Sequence, residues 1–378
     1  MKIACITTSV VPSKSANSIQ AMKVVHALKQ SGQDVKLWVP EFEKSDWRTI
    51  ADVYGLSTGF DVAWLPFSAR FKQYDFAIKA LAAAISWGAD VVYTWALQAA
   101  VISRLLGKTT VMEFHDFPMG RNGPLLFSIY KRVMGKKLSL CTTRALAEGL
   151  EERYRMRFAE SELQIAPNGT DTERYAGLPK PAEARKQLKL KEGFTVGYSG
   201  HFYQGRGMEL LTEIARLLPQ VNFLWAGGRQ EDIDPWQDAL AEQSISNVAI
   251  TGFIPNSRLP LYQAASDVLV MPYGKKISGS SGGDISRVIN PMKMFDYLAA
   301  GRPIIASEIP VFHEILTQET TIFCEPDNAG GWAQAIQNLM ADPGKCAEMG
   351  ERAKTSAEKY SWKNRARTTL EKLKRQLE

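Results

Sequence analysis

In HFYQGRGMELL, residues 201–211, Arg206 stands between two glycines just before a helix that starts near Met208. Gly205 and Gly207 permit backbone angles closed to other residues, and a guanidinium presents a planar fork of donors to a phosphate. The same pattern also fits an exposed basic residue in a turn. The stretch RVINPMKMFDYLAAGRPIIAS, 287–307, reads as loop, helix and strand. Asn290 is the expected N-cap, Pro291 suits the first helical position, Met292 to Ala300 continue the helix, Gly301 ends it and Pro303 opens an apolar strand. A helix N-terminus offers N–H groups and a positive dipole to an anion. Asp296 lies about one and a half turns into this helix, with basic Lys293 one turn before it. Its carboxylate can reach past a phosphate to the hydroxyls of a ribose, or it marks a solvated face.

Two further sites lie in the first half. EFHDFP, 113–118, ends a strand with three ionisable residues. His115 can act on a substrate hydroxyl with Asp116 orienting it, or serve the structure alone. PSKSANSIQAMKVV, 12–25, brings small residues, Ala16 and Asn17 among them, to the start of the first helix. That allows close approach of a ligand, or is a capped turn. The loop GKKISGSSGGDISRVIN, 274–290, carries four glycines and four serines and leads into the helix of Asp296, either as a ligand-ordered lid or as a linker.

The elements that must hold these residues alternate short apolar strands with helical segments, the rhythm of a parallel α/β sheet. Strands are expected at KIACITT, DVKLWV, DVVYTW, TTVMEFH, LSLCTT and LQIAP in the first half. The second half repeats the pattern with FTVGYSG, VNFLWAG, NVAITGF, DVLVMP, PIIAS and TIFC. PNGTDTERYAGLPKPAEARKQ, rich in Gly, Pro and charge, reads as the linker. The expectation is two doubly wound domains, 1–172 and 173–358, with a last helix over 359–378 packing back across their junction. In such sheets ligands bind beyond the carboxyl ends of the strands, where the candidate residues stand.

At 378 residues, 45% of them hydrophobic, the chain is long enough for two cores. Its four cysteines, at 5, 141, 324 and 346, form no CxxC pair, which suits a reducing cytoplasm and offers no metal site. No apolar run approaches the ~18–20 residues of a membrane span, and MKIACITTSVVP reads as a buried strand rather than a signal peptide. The net charge is +6, and residues 1–175 hold 22 Lys+Arg against 17 Asp+Glu. Within them 121–137 has five basic residues and no acidic one. Leu125, Leu126, Ile129, Tyr130 and Val133 can share one helical face there, beside Lys131, Arg132, Lys136 and Lys137. That face either lies on an anionic membrane or packs into the core. No nucleic-acid-binding signature is present.

Taken in order, these pieces resemble the retaining nucleotide-sugar glycosyltransferases of the GT-B fold, glycosyltransferase family four. The resemblance runs through FHD, APNGTD, GYSG…GRG, TGFIPNSRLPLYQAASDVLVMP, NPMKMFDYLAAGRPIIAS and YSWKNRA, nearly the whole chain. It implies two Rossmann-like domains facing each other across a cleft, with the nucleotide-sugar donor mostly against the C-terminal one. Arg206 then takes the place of a Lys that neutralises the diphosphate, beside Gly200 and His201, and Asp296 that of a Glu on the ribose. The amides near Asn290, Pro291 and Met292 face a phosphate, Phe253 and Ile254 border the base, His115 contacts the transferred sugar, and Ala16 and Asn17 stand in a loop by the phosphates. Three departures accompany the likeness. Val288 occupies the place of a frequent Glu on the sugar, His201 that of a second basic residue, and SAN that of a double glycine.

The implied reaction moves a sugar from a UDP- or GDP-linked donor to a glycan or lipid-linked acceptor, with retention. It serves cell-envelope polysaccharide or glycolipid synthesis, in the cytoplasm or at the inner face of its membrane. Arg206 and the helix dipole would stabilise the leaving diphosphate by fixed electrostatics. With no DxD motif, no divalent metal or other cofactor is expected. Two alternatives share the fold: a nucleotide-sugar epimerase or hydrolase, and a catalytically inactive partner subunit. A dinucleotide oxidoreductase is disfavoured, because TSVVPSKSAN and not GxGxxG follows the first strand.

Overall fold

The computed structural model describes residues 1–71, 73–278 and 283–377. It divides the chain into two compact units, Met1–Asn168 with Trp362–Glu378, and Gly169–Ser361. The first unit returns to the chain after the second has been completed.

The first unit has strands β1 (Lys2–Ile6), β2 (Asp34–Pro40), β3 (Asp61–Leu65), β4 (Val91–Thr94), β5 (Thr109–Phe114), β6 (Lys137–Cys141) and β7 (Leu163–Ile165). They form one parallel sheet in the order β3-β2-β1-β4-β5-β6-β7. Helices α1 (Ala16–Gln30), α2 (Trp47–Tyr54), α3 (Tyr74–Ser86), α4 (Leu97–Leu105), α5 (Gly123–Arg132) and α6 (Arg144–Tyr154) connect them. The chain reverses its direction across the sheet between β1 and β4, so a crevice opens at their carboxyl ends. Strand β3 was not expected from the sequence. It is an edge strand with one exposed and four half-buried residues, so it lacks the continuous apolar run of a central strand.

The second unit begins with α7 (Pro181–Leu188), inside the segment read as a linker. Pro181 at its first turn starts this helix, and Ala184 joins a small apolar cluster with Leu188 and Leu261. Then come β8 (Thr195–Gly200), α8 (Met208–Leu217), β9 (Asn222–Gly227), α9 (Gln230–Glu242), β10 (Val248–Gly252), α10 (Leu259–Ala264) and β11 (Val268–Met271). The unit closes with α11 (Met292–Ala300), β12 (Ile304–Ser307), β13 (Thr321–Cys324), α12 (Ala329–Ala341) and α13 (Pro343–Ala357). Its parallel sheet runs β10-β9-β8-β11-β12-β13, with the reversal between β8 and β11.

Each sheet is covered for the reason its sequence predicts. In α8, Met208, Leu211, Ile214 and Ala215 recur at helical spacing and are buried against Tyr198, Phe223 and Trp225. The final helix α14 (Trp362–Leu377) belongs to the first unit, and its buried stripe is Trp362, Arg365, Ala366, Thr369, Leu370 and Leu373. It packs on α1, which is therefore buried almost all round, from Gln20 to Leu28. One buried position in the α14 stripe is an arginine, and that arginine is part of the first candidate site.

Candidate active site

In the first unit the residues gather at the carboxyl ends of β1, β4 and β5. Successive strand residues point to opposite faces, so Glu113 and His115 share one face and Asp116 takes the other. His115 Nε2 lies 2.8 Å from Glu113 Oε1. Asp116 instead accepts the amide of its own neighbour Phe117 at 2.7 Å. Glu113 thus bonds the His115 ring directly. Glu113 is fully buried and receives four groups. Arg365 of α14 donates to it at 2.7 Å, Gln20 of α1 at 2.5 Å, and the Tyr93 hydroxyl also donates. Arg365 further donates to Pro167 O at 2.8 Å and Ala166 O at 3.1 Å. Burial alone would raise the Glu113 pKa. The Arg365 charge and the bonds from His115 and Tyr93 outweigh it and pull the carboxyl down to about 2. Burial, then the Glu113 charge, hold the Tyr93 phenol well above its usual range. Glu113 is thus an anion that fixes the His115 ring. Ala16 and Asn17 are exposed at the start of α1, behind the N-cap Ser15, whose hydroxyl accepts from Ser18 N at 3.4 Å.

In the second unit the residues gather where the sheet reverses, at the ends of β8 and β11. The turn carrying Arg206 is built on glycine. Gly205 and Gly207 have φ of 80° and 77°, and a Cβ on Gly207 would lie 1.6 Å from Pro272 O. Gly274 N donates to Gly205 O at 3.1 Å, docking the turn on the segment that leaves β11. The half-buried Arg206 places its guanidinium 5.1 Å from the centre of the Tyr273 ring.

Helix α11 begins one residue later than expected. Pro291, with extended backbone, is its N-cap, and its carbonyl accepts from Met294 N at 3.1 Å; Asn290 precedes the cap. Gly301 ends the helix with φ 64°. Asp296 is half-buried and accepts the Thr170 hydroxyl at 2.8 Å. A carboxylate has about four acceptor positions, so the bond from Thr170 does not by itself close Asp296 to a ligand hydroxyl. Burial first, then the Asp296 charge, hold the Tyr175 phenol well above its usual range. Tyr175 donates to Gln263 at 2.8 Å, Gln263 to Ser199 Oγ at 3.1 Å, and Ser199 N to the Tyr297 hydroxyl at 2.7 Å. This buried chain ties the end of β8 to α11.

The remaining candidates fall around these two elements. Phe253 and Ile254 follow β10 and are half-buried. Gly200 ends β8 with φ 145°. The His201 ring stacks on Tyr203 at 4.7 Å, and burial together with Lys293, Arg229 and Arg206 lowers its pKa to about 4, so it is neutral at neutral pH. Val288 is 1% exposed and packs inward, so the place of the frequent sugar-binding Glu has become core. Part of the loop 274–290 expected as a lid, residues 279–282, lies outside the described residues. Sequence reasoning missed Glu113, Arg365 and the buried position of Lys293. Among the described residues no cluster of three His, Cys, Asp or Glu is placed to hold a metal ion, and no helix is long and apolar enough to cross a membrane.

Residues 193–342, most of the second unit, match the family described as Glycosyl transferases group 1. Over those residues the chain is similar to the group 1 glycosyltransferases. A Bacillus subtilis glycosyltransferase, TuaH, named for teichuronic acid biosynthesis, is 24% identical over 183 residues, 48% of this chain and 43% of that protein. The 2-deoxystreptamine glucosyltransferase of Streptomyces kanamyceticus is 22% identical over 282 residues, 68% of this chain and 70% of that one. The chain thus matches less than half the length of the Bacillus glycosyltransferase. Among solved structures, sucrose-phosphate synthase from Thermosynechococcus elongatus superposes with a TM-score of 0.75 at 20% identity, over 100% of this chain and 98% of that one. HepE of Anabaena, in complex with UDP, gives 0.74 at 16%, over 99% and 100%. Both share the GT-B fold of this chain.

Proposed function

We propose that this chain is a group 1 glycosyltransferase that moves a sugar from a nucleoside-diphosphate donor to a glycan or lipid-linked acceptor, with retention, in the cytoplasm. The observation that carries the reading is the convergence at the β8–β11 reversal of Arg206, the N-terminus of α11 and, about one and a half turns into that helix, Asp296. This is the order in which a diphosphate and a ribose present themselves: anion first, hydroxyls next. HepE, of the same fold, is known in complex with UDP and with UDP-glucose, which supports a nucleotide-sugar donor.

On this reading the second unit holds the donor, with Phe253 and Ile254 beside the base. As the glycosyl–phosphate bond breaks, negative charge grows on the diphosphate, and Arg206 and the α11 dipole stabilise it without reorganising. The leaving phosphate takes the acceptor's proton as the new bond forms on the same face. His115, held by Glu113, contacts the transferred sugar, and Ala16 and Asn17 line the phosphate side of the first unit. No divalent metal enters this scheme.

Contact with an anionic membrane through 121–137 stays in the proposal on a reduced surface. Lys131 pairs with Glu162 at 3.0 Å, Lys137 is buried in β6, and Phe127 and Tyr130 enter the core, which leaves Leu125 and Met134 exposed. Co-sedimentation with anionic vesicles at low salt tests it.

The function is tested by a thermal-shift screen with UDP, GDP, ADP and CDP and their common sugar conjugates, with and without EDTA, followed by NMR of the products. A shift with one diphosphate that ignores EDTA, and a glycoside of unchanged anomeric configuration, are expected. Donor turnover without acceptor would instead mark an epimerase or hydrolase. No shift at all would favour an inactive partner subunit, a reading that the neutral His201 and the buried Val288 would suit.

A further inference from the structure

Lys293 occupies the first turn of α11, and its ammonium is the least expected group in the second unit. The nitrogen is fully screened from solvent and has no hydrogen-bond partner among the described residues. It lies 3.8 Å from the centre of the Tyr198 ring and 5.4 Å from that of Tyr273. A Cβ on Gly200 would stand 2.8 Å from it, so the absence of a side chain at the end of β8 is what admits it. The Tyr273 ring that it faces is the one Arg206 covers. Asp296, one turn on, is bonded by Thr170, and Lys293 does not pair with it.

Two aromatic faces account for part of this position through cation–π attraction. They leave three N–H donors unmet, and a buried ammonium without acceptors is among the costlier arrangements a fold can hold. The cation beside it is Arg206, which worsens the cost. An anion between the two would remove both penalties, and the N-terminus of α11 favours an anion at this place.

We infer that Lys293 is a second diphosphate-binding cation beside Arg206, delivered from α11 and supplying the charge that His201 at the end of β8 does not. The inference rests on the donor reading above and adds a residue and a linked proton to it. Burial and the Arg206 charge hold the Lys293 pKa well below its ordinary value. A bound diphosphate raises that pKa again, and binding takes up a proton. Affinity therefore falls as pH rises from the free toward the bound pKa. The groups facing Lys293 do not blur this trend. His201, at about 4, is already neutral, and Tyr198 and Tyr273 have raised pKa values and stay protonated.

The experiment is calorimetry of UDP, GDP, ADP, CDP and inorganic pyrophosphate, with the matching nucleosides as controls, at pH 7 and 8.5 in buffers of different ionisation enthalpy. It is run on the wild type, Lys293→Met, and Lys293→Met with His201→Arg. Wild type is expected to bind one nucleoside diphosphate, with any proton uptake growing from pH 7 to 8.5. Lys293→Met should lose about 10- to 100-fold in affinity, the worth of a hydrogen bond to a charged group, and should lose the proton uptake. Its nucleoside affinity should not change, and His201→Arg should restore part of the loss. If Lys293→Met binds like wild type, Lys293 is a packing residue and the donor reading stands. If the wild type binds neither pyrophosphate nor any diphosphate, the donor reading and this inference fall together. Should Lys293→Met not fold, judged from its melt without ligand, Lys293→Gln is titrated in its place and the same loss against pyrophosphate decides.

Discussion

Arg365→Met tests the buried charge cluster under His115. The substitution keeps most of the side-chain volume on the α14 stripe and removes the guanidinium charge bonded to Glu113, whose side chain is 0% exposed. Hydrogen bonds to Glu113, Pro167 and Ala166, at 2.7, 2.8 and 3.1 Å, go with it. Breaking one side of a buried pair costs about 3–5 kcal/mol, because the remaining charge stays buried without compensation. The displacement of Glu113 gives a separate figure. A carboxyl lowered from 4.5 to about 2 contributes roughly 3 kcal/mol at neutral pH. That contribution is complete above pH 4.5 and disappears as pH falls toward 2. In Arg365→Met, burial without a cation pushes the carboxyl up instead, so acidification from pH 7 to 5 should stabilise the variant while leaving the wild type unchanged in this respect. Thermal unfolding followed by circular dichroism at pH 5 and 7 reads both effects. The transition of the first unit should drop by roughly 6–20 °C at pH 7 and recover partly at pH 5. Adding Glu113→Gln should recover it further, because two neutral partners cost less than one orphaned charge. A variant melting within about 2 °C of wild type at both pH values would refute the reasoning.

Three other outcomes follow from the described geometry. Asp296→Asn keeps an acceptor for Thr170, so the fold should survive while nucleoside diphosphate affinity drops about five- to tenfold, the difference between a charged and a neutral hydrogen bond; unchanged affinity by calorimetry would remove Asp296 from the ribose. His115→Ala should lower kcat far more than affinity for the free nucleoside diphosphate, and equal losses in steady-state kinetics and calorimetry would make His115 structural. Gly207→Ala combines a φ of 77° with a Cβ 1.6 Å from Pro272 O. The left-handed backbone alone costs roughly 1–2 kcal/mol, so the melt of the second unit should shift down and that of the first should not.

The strands with unbroken apolar runs were legible because a central parallel strand is buried on both faces and must read that way. β3 was not, being a half-exposed edge. The Arg206 turn and the α11 region were legible because glycine and proline mark backbone conformations directly, although the N-cap moved from Asn290 to Pro291. The position of Glu113 carried a readable signal, an acid within an apolar strand two residues from His115 and therefore on its face. Its partner did not, since Arg365 lies 252 residues away and no local pattern reports it. Lys293 was read with Asp296 as one helix surface, whereas the missing side chain at Gly200 draws it under Tyr198. The helix over 121–137 looked more basic than it is because Glu162, which neutralises Lys131, comes from a later segment.

The return of α14 to the first unit bears on how the protein is made. A ribosome adds about 5–20 residues per second, so roughly 10–50 s separate the emergence of Glu113 from that of Arg365. Throughout that interval the first sheet waits with an acid at its centre and one face of α1 uncovered, while the second unit, contiguous in sequence, can fold at once. The nascent chain therefore completes its units in the reverse of their order of appearance. The waiting half is the part a chaperone would hold, and expressing residues 1–168 alone reproduces that waiting state permanently.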